Sequence, residues 1–469
     1  MDRRAVVYDA EAVDDHERQG TVWTATSHIV AAVVGSGVLA LAWTVAQLGW
    51  VVGPLVLVGF SCVTYYTSTL LANCYRYPDP VTGTANREYI DAVRCYLGPK
   101  NVMLCGCAQY VNLWGTLVGY TITASASMIA VKRVNCFHRE GYGAGDCGAS
   151  GSTYMVVFGV FQLLLSQLPS LHNIAWLSVV AVATSFGYSF ISLGLCAAKW
   201  ASHGGAVRGT LAGADLDFPR DKAFNVLLAL GNIAFSYTFA DVLIEIQDTL
   251  RSPPAENKTM KKGLLLRPLH DHRLLPPPRL HRATPPSATT PPATSSPASP
   301  STSPSGSSTS PTSASSSTSS APTKCSRSRS SRGWRATWRA QWPDAKFINA
   351  TYYVRVPGRW WPAATVAVAP LKLVLRTIII MFTTLVAMLL PFFNAVLGLI
   401  GALGFWPLSV YFPVSMHVAR LGIRRGEPRW WSLQAMSFVC LLISIAASIG
   451  SVQDIVHNLK AAAPFKTVN

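Results

Sequence analysis

Apolar residues in this chain form long unbroken runs, not the three-and-four spacing of a half-buried helix on a water-soluble core. A run of about 18 or more mainly apolar residues is long enough to cross the hydrocarbon of a bilayer as a helix. Six apolar segments stand in the first half: Ser27–Trp50, Gly53–Leu71, Met103–Val131, Tyr154–Leu168, Ile174–Ala198 and Phe224–Ile246, the last interrupted by polar residues. Three more, Leu371–Leu390, Phe393–Met416 and Trp431–Ile449, follow a stretch of different character. The pattern predicts an all-α polytopic membrane protein with about nine transmembrane helices. It divides the chain into a tail over 1–26, six helices within 27–262, a low-complexity segment over 263–341, a loop over 342–370, three helices within 371–452, and a tail over 453–469.

The low-complexity segment consists of runs such as TPPSATTPPATSSPASPSTSPSGSSTSPTSASSS. Such a sequence lacks the apolar surface to span a bilayer or to fold alone, so it is expected to be disordered. It could be a genuine cytoplasmic loop, or an arginine–serine tract around Ser326–Arg332 for contacts with RNA-binding partners. A displaced reading frame explains the composition itself. Codons for Phe, Leu, Ile and Val carry T in the middle, and in GC-rich genes they usually end in C. Read one nucleotide late, they become serine codons, while GCC becomes proline, AAC threonine and GGC alanine. An apolar helix pair would then be written in Ser, Pro, Thr and Ala. The length is also the room that two spans with their loops require.

Composition agrees with the membrane assignment: 13% of residues are charged and 50% are hydrophobic, against about 25% charged in soluble domains. The net charge of +17 does not imply nucleic acid, because ten Lys or Arg against one acid between Leu264 and Gln341 supply +9 of it. The rest falls largely in short loops, which sets orientation. Arg76, Arg87, Arg94 and Lys100 follow the second span, Arg251, Lys258, Lys261 and Lys262 follow the sixth, and Arg420, Arg424, Arg425 and Arg429 precede the last. By parity these loops share a side with the N-terminus, which is therefore expected in the cytoplasm. Lys132, Arg133 and Arg139 oppose the rule. Met1–Gly20 is polar and acidic, so no cleavable signal peptide is expected.

Most of the ten cysteines lie in or beside apolar runs and read as small buried hydrophobes. Cys136 and Cys147 fall in a Gly-rich loop on the outer side, where a disulfide or two free thiols are the alternatives. The sequons at Asn257 and Asn349 fall on the inner side and are expected to stay unmodified.

Two spans carry chemistry. The first contains Gly35-Ser36-Gly37 at mid-membrane. Glycines there weaken the helix and let a ligand approach the backbone, and a broken helix in lipid is tolerated only where its freed backbone groups face a cavity or protein. Close helix packing through small residues would use the same glycines. The sixth span has a polar, aromatic centre, Asn232-Ile-Ala-Phe235-Ser236-Tyr237-Thr238-Phe239-Ala240-Asp241, followed by Glu245. Its position five spans after the first is the separation expected of a five-helix inverted repeat. Asp241 and Glu245 share a helix face, and acids within a span mark proton or cation paths. The alternative is that both reach interfacial water. His28 and His172 are solitary and read as packing or interfacial residues.

The first span, the run Gln109–Met128, the run Ile244–Pro254 with Glu256–Lys261, and Pro391-Phe-Phe-Asn394 with Gly398-Leu-Ile-Gly401 and Phe405-Trp-Pro-Leu408 resemble the plant amino acid permease family, a branch of the amino acid/auxin permeases. The likeness covers nearly everything outside about 263–341. It implies an eleven-span LeuT-type inverted-repeat bundle in a plant membrane, expected in the plasma membrane, importing amino acids together with protons. It also implies a substrate site lined by Gly35, Ser36 and Gly37 and by Phe235, Ser236, Tyr237 and Thr238, with Tyr120 in the third span a candidate for the substrate carboxylate. The chain departs from the family where the seventh and eighth spans belong, which puts transport by the chain as written in question.

The expected partners are therefore an amino acid, protons and the lipid bilayer, with no nucleic acid. No cofactor is expected beyond the proton gradient. An auxin-type carboxylate importer and a non-transporting membrane sensor or scaffold are the alternatives. No metal-ligand cluster, phosphate-binding Gly loop or nucleophile motif stands out in the sequence, so an enzyme is not expected.

Overall fold

The computed structural model describes residues 18, 20–34, 36–140, 150–166, 175–202, 213, 219–264, 352–356, 364–368 and 370–461. These are almost entirely helical, and the described residues of the apolar segments are helical except at 237–239 and 390. The first span lies on α1 (Val22–Val34) and the start of α2 (Ser36–Ala72), with position 35 outside the described residues. The chain turns from the first span into the second without a loop, at Gly49 inside α2. Its φ of 84° and ψ of 178° lie in a region open essentially to glycine alone. A short hairpin, β1 (Arg76–Tyr77) with β2 (Thr84–Ala85), then leads into α3 (Tyr89–Leu97).

The third span lies within α4 (Pro99–Glu140). At 1.5 Å per residue this helix is about 63 Å long, twice the thickness of the hydrocarbon, so both ends reach well past the bilayer. α5 (Gly151–Ser166) and α6 (Ala175–Ser202) carry the fourth and fifth spans. The sixth is α7 (Pro219–Ser236) and α8 (Ala240–Asp248), followed by a short helix, α9, at 256–264. After an antiparallel hairpin, β3 (Tyr352–Val356) with β4 (Ala364–Val368), come α10 (Pro370–Leu389), α11 (Phe393–Gly404), a π-helical turn at Phe405–Tyr411, α12 (Phe412–Leu421) and α13 (Pro428–Ala461). The β3–β4 hairpin occupies a loop for which the apolar pattern predicted no element.

Among the described residues, five helical runs are long and apolar enough to cross a membrane: Ala40–Ala72, Pro99–Cys136, Pro219–Asp248, Phe393–Leu421 and Pro428–Lys460. They differ in where their apolar side chains go. In the Pro219–Asp248 run 78% of the most apolar window is buried within the protein, whereas in Pro428–Lys460 only 33% is. The sixth span is thus a central helix and the last a peripheral one. Leu55, Met103, Leu164 and Phe438 are more than half exposed on the outer surface, an arrangement that suits lipid and not water.

The centre is built by α7, packed against α2, α11 and α13. At the α7–α11 crossing the Gly231 and Gly398 backbones touch. Close approach through small residues supplies packing that apolar burial cannot supply in lipid. One apolar cluster gathers Ala25 and Ile29 of α1, Leu71 and Ala72 of α2, Tyr89 of α3, Leu243 and Ile244 of α8, and Leu408, Phe412 and Met416 near the π turn. Both halves of the chain therefore share one core.

Candidate functional site

The sixth span is broken where its polar centre predicted a break. α7 ends at Ser236, residues 237–239 are non-helical, and α8 restarts at Ala240. The last α7 turn tightens through N–H donation from Tyr237 to the Ile233 and Ala234 carbonyls, at 3.2 and 3.1 Å, and from Thr238 to Phe235, at 3.1 Å. Side-chain hydroxyls take the place of the lost helix bonds. Thr238 Oγ1 donates to the Ala234 carbonyl at 2.7 Å and Ser236 Oγ to the Asn232 carbonyl at 3.2 Å. Phe239 precedes α8 and offers no capping oxygen, so this helix start turns its positive end toward the break.

The first and sixth spans meet at this break. Gly37, buried one residue inside α2, lies so close to Ser236 that any side chain there would run into the Ser236 hydroxyl. Only glycine permits this approach between the first and sixth spans. Ser36 opens α2, and Gly35 lies outside the described residues. Phe235 is half-buried beside α11, and Tyr237, nearly fully buried, faces Phe60 of α2 with ring centroids 6.2 Å apart. Phe60 in turn packs against Phe405 at the start of the π turn, at 4.9 Å. Tyr120 is half-buried on α4, about 12 Å along the helix from Asn112.

Asp241 and Glu245 share the face of α8 that the spacing predicted, but they are not equivalent. Asp241 is 6% exposed and accepts a hydrogen bond from Asn112 Nδ2 of α4 at 2.9 Å. Glu245 is half-buried. Asn112 lies in the motif-bearing third span, and a buried amide in a span was the available signal of its importance. Among the described residues, buried polar atoms without a hydrogen-bond partner include both amide atoms of Asn232, Asn112 Oδ1 and Ser409 Oγ.

A second polar centre ties together one end of the bundle. Arg18 donates to Asp248 at 2.8 Å and to Glu256 at 3.2 Å, while Arg76 forks onto both Glu256 oxygens at 3.1 and 2.6 Å. The Tyr75 hydroxyl donates to Asp248 at 2.6 Å. The tail also pairs its backbone with the sixth span's exit. Gly20 N–H donates to Thr249 O and Arg251 N–H to Gly20 O, both at 2.9 Å. Burial pushes the Glu256 carboxyl up, but the hydrogen bond from Arg76 and the charges of Arg76 and Arg18 outweigh it, and the net displacement is downward. Burial first, and then the Asp248 charge, drives the Tyr75 phenol well above its usual range.

Arg18 and Gly20 are therefore docked, and α1 begins at Val22 where the apolar pattern placed the tail's end at 26. Arg420 donates to the Asn73 carbonyl at 2.8 Å, so the tail, the second span's exit, the sixth span's exit and the last loop meet at one end, as parity requires. Arg18, Tyr75, Asp248 and Glu256 carried no local signal of this clamp. Its members come from segments that only the fold brings together.

Of the remaining expectations, Cys136 is disulfide-bonded, and Cys147, Asn349, His172 and positions 265–351 lie outside the described residues. Asn257 is buried, its amide 3.4 Å from the Asn73 side chain. No group of three or more His, Cys, Asp or Glu that could hold a metal is present among the described residues.

A family model described as "Transmembrane amino acid transporter protein" matches residues 18–267 and 362–457. Amino acid permease 1 of Arabidopsis thaliana is 43% identical over 97% of this chain and 93% of its own length, and amino acid permease 8 is 41% identical over 98% and 96%. The chain belongs to the plant amino acid permease family. A more distant Arabidopsis protein, lysine histidine transporter-like 6, is 30% identical over 51% of the chain. Within the permease family this chain has an unusual middle: the family model matches on both sides of residues 268–361 and not within them. That gap coincides with the low-complexity segment and the loop after it.

Proposed function

We propose that this permease is built as a proton-coupled amino acid importer of LeuT-type architecture, with its N-terminus in the cytoplasm and the plasma membrane as its site of action. Kinship with proteins named amino acid permeases supports the substrate class. The observation that carries the mechanism is the meeting of Gly37 of the first span with Ser236, where the sixth span is interrupted. A substrate carboxylate would sit at the positive start of α8, where freed N–H groups can bind it. The aromatic row of Tyr237, Phe60 and Phe405 borders the same break. Asp241, buried one residue into α8, is the proton carrier, with Glu245 a turn further along the path toward the clamp.

Uptake of a labelled neutral amino acid by cells expressing the chain tests this reading. Uptake that rises on acidifying the medium and collapses with a protonophore supports it. Uptake indifferent to both would overturn proton coupling.

The unmatched middle favours a second reading, a receptor that binds an amino acid without moving it, because the seventh and eighth spans complete the second repeat. Saturable binding with no uptake would select it. Sequencing the transcript across Lys262–Trp342 decides how the middle arose. An apolar product in one alternative frame would restore two helices, and loss of an even number of spans leaves the downstream orientation unchanged.

A further inference from the structure

We infer that Asn112 is the partner that receives the proton-bound form of Asp241, so that the third and sixth spans are joined by one hydrogen bond when Asp241 is charged and by two when it is protonated. This rests on the reading of Asp241 as proton carrier and names the residue that positions it.

The geometry is that of a half-used amide. Asn112 offers an NH2 donor group and a carbonyl acceptor. One N–H of Nδ2 donates to Asp241 Oδ2 at 2.9 Å. The acceptor, Oδ1, is buried and has no partner among the described residues. Asn112 is 5% exposed and Asp241 6%, so neither can turn to water. A buried acceptor left unpaired is destabilising. A carboxylic acid is the complement of a carboxamide, with one O–H donor and one carbonyl acceptor. Placing a proton on Asp241 Oδ1 lets that O–H donate to Asn112 Oδ1 while Asn112 Nδ2 continues to donate to Oδ2. The idle Asn112 oxygen is then paired, and the acid and amide close a single ring.

Gly404, at the end of α11, borders the amide: a side chain added there would lie 3.0 Å from Asn112 Oδ1 and 3.4 Å from Thr238 Cγ2. Asn112 is also joined to its own helix by the Thr116 hydroxyl, which donates to the Asn112 carbonyl at 2.7 Å. The other titratable groups near Asp241 are Glu245 a turn along α8, Tyr89 of α3 and Cys105 of α4. The Tyr89 hydroxyl is committed to the Leu408 carbonyl at 2.7 Å. Residues of α1, α2 and the π turn packed against α8, including Ile29, Leu71 and Leu408, are apolar. Asn112 is thus the group placed to distinguish the two protonation states. The start of α8 favours the charged one, and the idle Asn112 oxygen favours the neutral one. The proton then alters how firmly the third span grips the second half of the broken sixth, and a symporter needs such a link between proton and helix position.

The test is infrared pH titration of the purified full-length chain in lipid nanodiscs, following carboxylic C=O stretches, with Asp241→Asn, Asn112→Leu and Asn112→Ala. The expected result is a protonated-acid band that is lost in Asp241→Asn and moves to higher wavenumber in both Asn112 variants, because an acid released from two hydrogen bonds has a stiffer carbonyl. The smaller Asn112→Ala cannot clash, so it serves if Asn112→Leu does not fold. A band at the wild-type wavenumber in either folded Asn112 variant overturns the inference. So does the absence, down to about pH 4, of any band sensitive to Asp241→Asn, or a band that disappears with Glu245→Gln instead. Calorimetry with alanine on the same nanodiscs keeps the two claims apart. A chain that binds no amino acid but whose Asp241 band follows Asn112 would sink the importer reading and leave this inference standing.

Discussion

Replacing Arg18 with Gln should release the N-terminal tail from the sixth span without unfolding the bundle. Arg18 is the only described side chain of the tail in the clamp, and it bonds Asp248 at 2.8 Å and Glu256 at 3.2 Å. Its loss leaves Asp248 with Tyr75 and Glu256 with Arg76, so neither acid is stranded. Hydrogen bonds to charged groups contribute about 1.5–3 kcal/mol each when buried, and exposed ion pairs about 0–1. The Arg18 side chain is 29% exposed, while Asp248 and Glu256 are 19% and 1% exposed, which places the pair between those limits. A total of about 2–3 kcal/mol follows, or roughly a 30- to 150-fold change in a local opening equilibrium at about 1.36 kcal/mol per tenfold. The reporters are the Gly20 and Arg251 amides, which bond across the tail and the sixth span's exit. Hydrogen exchange on the full chain in nanodiscs should show both accelerating by that factor while α7 and α11 amides stay protected. Acceleration below about threefold, against the magnitudes above, would refute the idea that Arg18 holds the tail.

The pH dependence has a defined sign. The Glu256 carboxyl is held below its ordinary 4.5 in the folded chain, so its contribution is complete above 4.5 and lost as pH falls through the lower folded value. Tail protection in the wild type should therefore weaken only below 4.5, and Arg18→Gln should flatten that decline.

Three further outcomes follow from other contacts. Gly37→Ala should abolish amino acid uptake by forcing a methyl into Ser236, and Ser236→Gly on that background should restore part of it, measured as labelled uptake at matched surface expression. Tyr75→Phe removes the 2.6 Å bond to Asp248 and should lower thermal stability in nanodiscs by about 1–2 kcal/mol, with no change in the apparent affinity for amino acid. Burial, opposed by the Arg420 charge, pushes the Cys74 thiol up to about 12, so it should stay unlabelled by iodoacetamide at neutral pH until the chain is denatured.

Helix positions were legible in the chain because lipid makes hydrophobicity and span length nearly one quantity. The described residues of the apolar segments are mostly helical, and the break in the sixth span lies at the polar centre that predicted it. That the exits of the second and sixth spans lie at one end was legible too, because both carry basic residues and the clamp joins them. The unusual middle announced itself by composition alone, and the family match stops at nearly the same places.

What the tertiary structure decided is which polar groups meet. Asn112 and Asp241 are 129 residues apart, Arg18 and Asp248 are 230 apart, and no periodicity links such pairs. Equal spacing on α8 made Asp241 and Glu245 look alike, and only the packing of α4 gives one of them a buried amide partner. Nothing beside Gly37 in the sequence names its neighbour, and only the fold sets Ser236 against it. Hydropathy is a property of each residue in its own segment and can be summed along the chain. A hydrogen bond between spans depends on rotation, depth and neighbour, and those are set only when the helices pack.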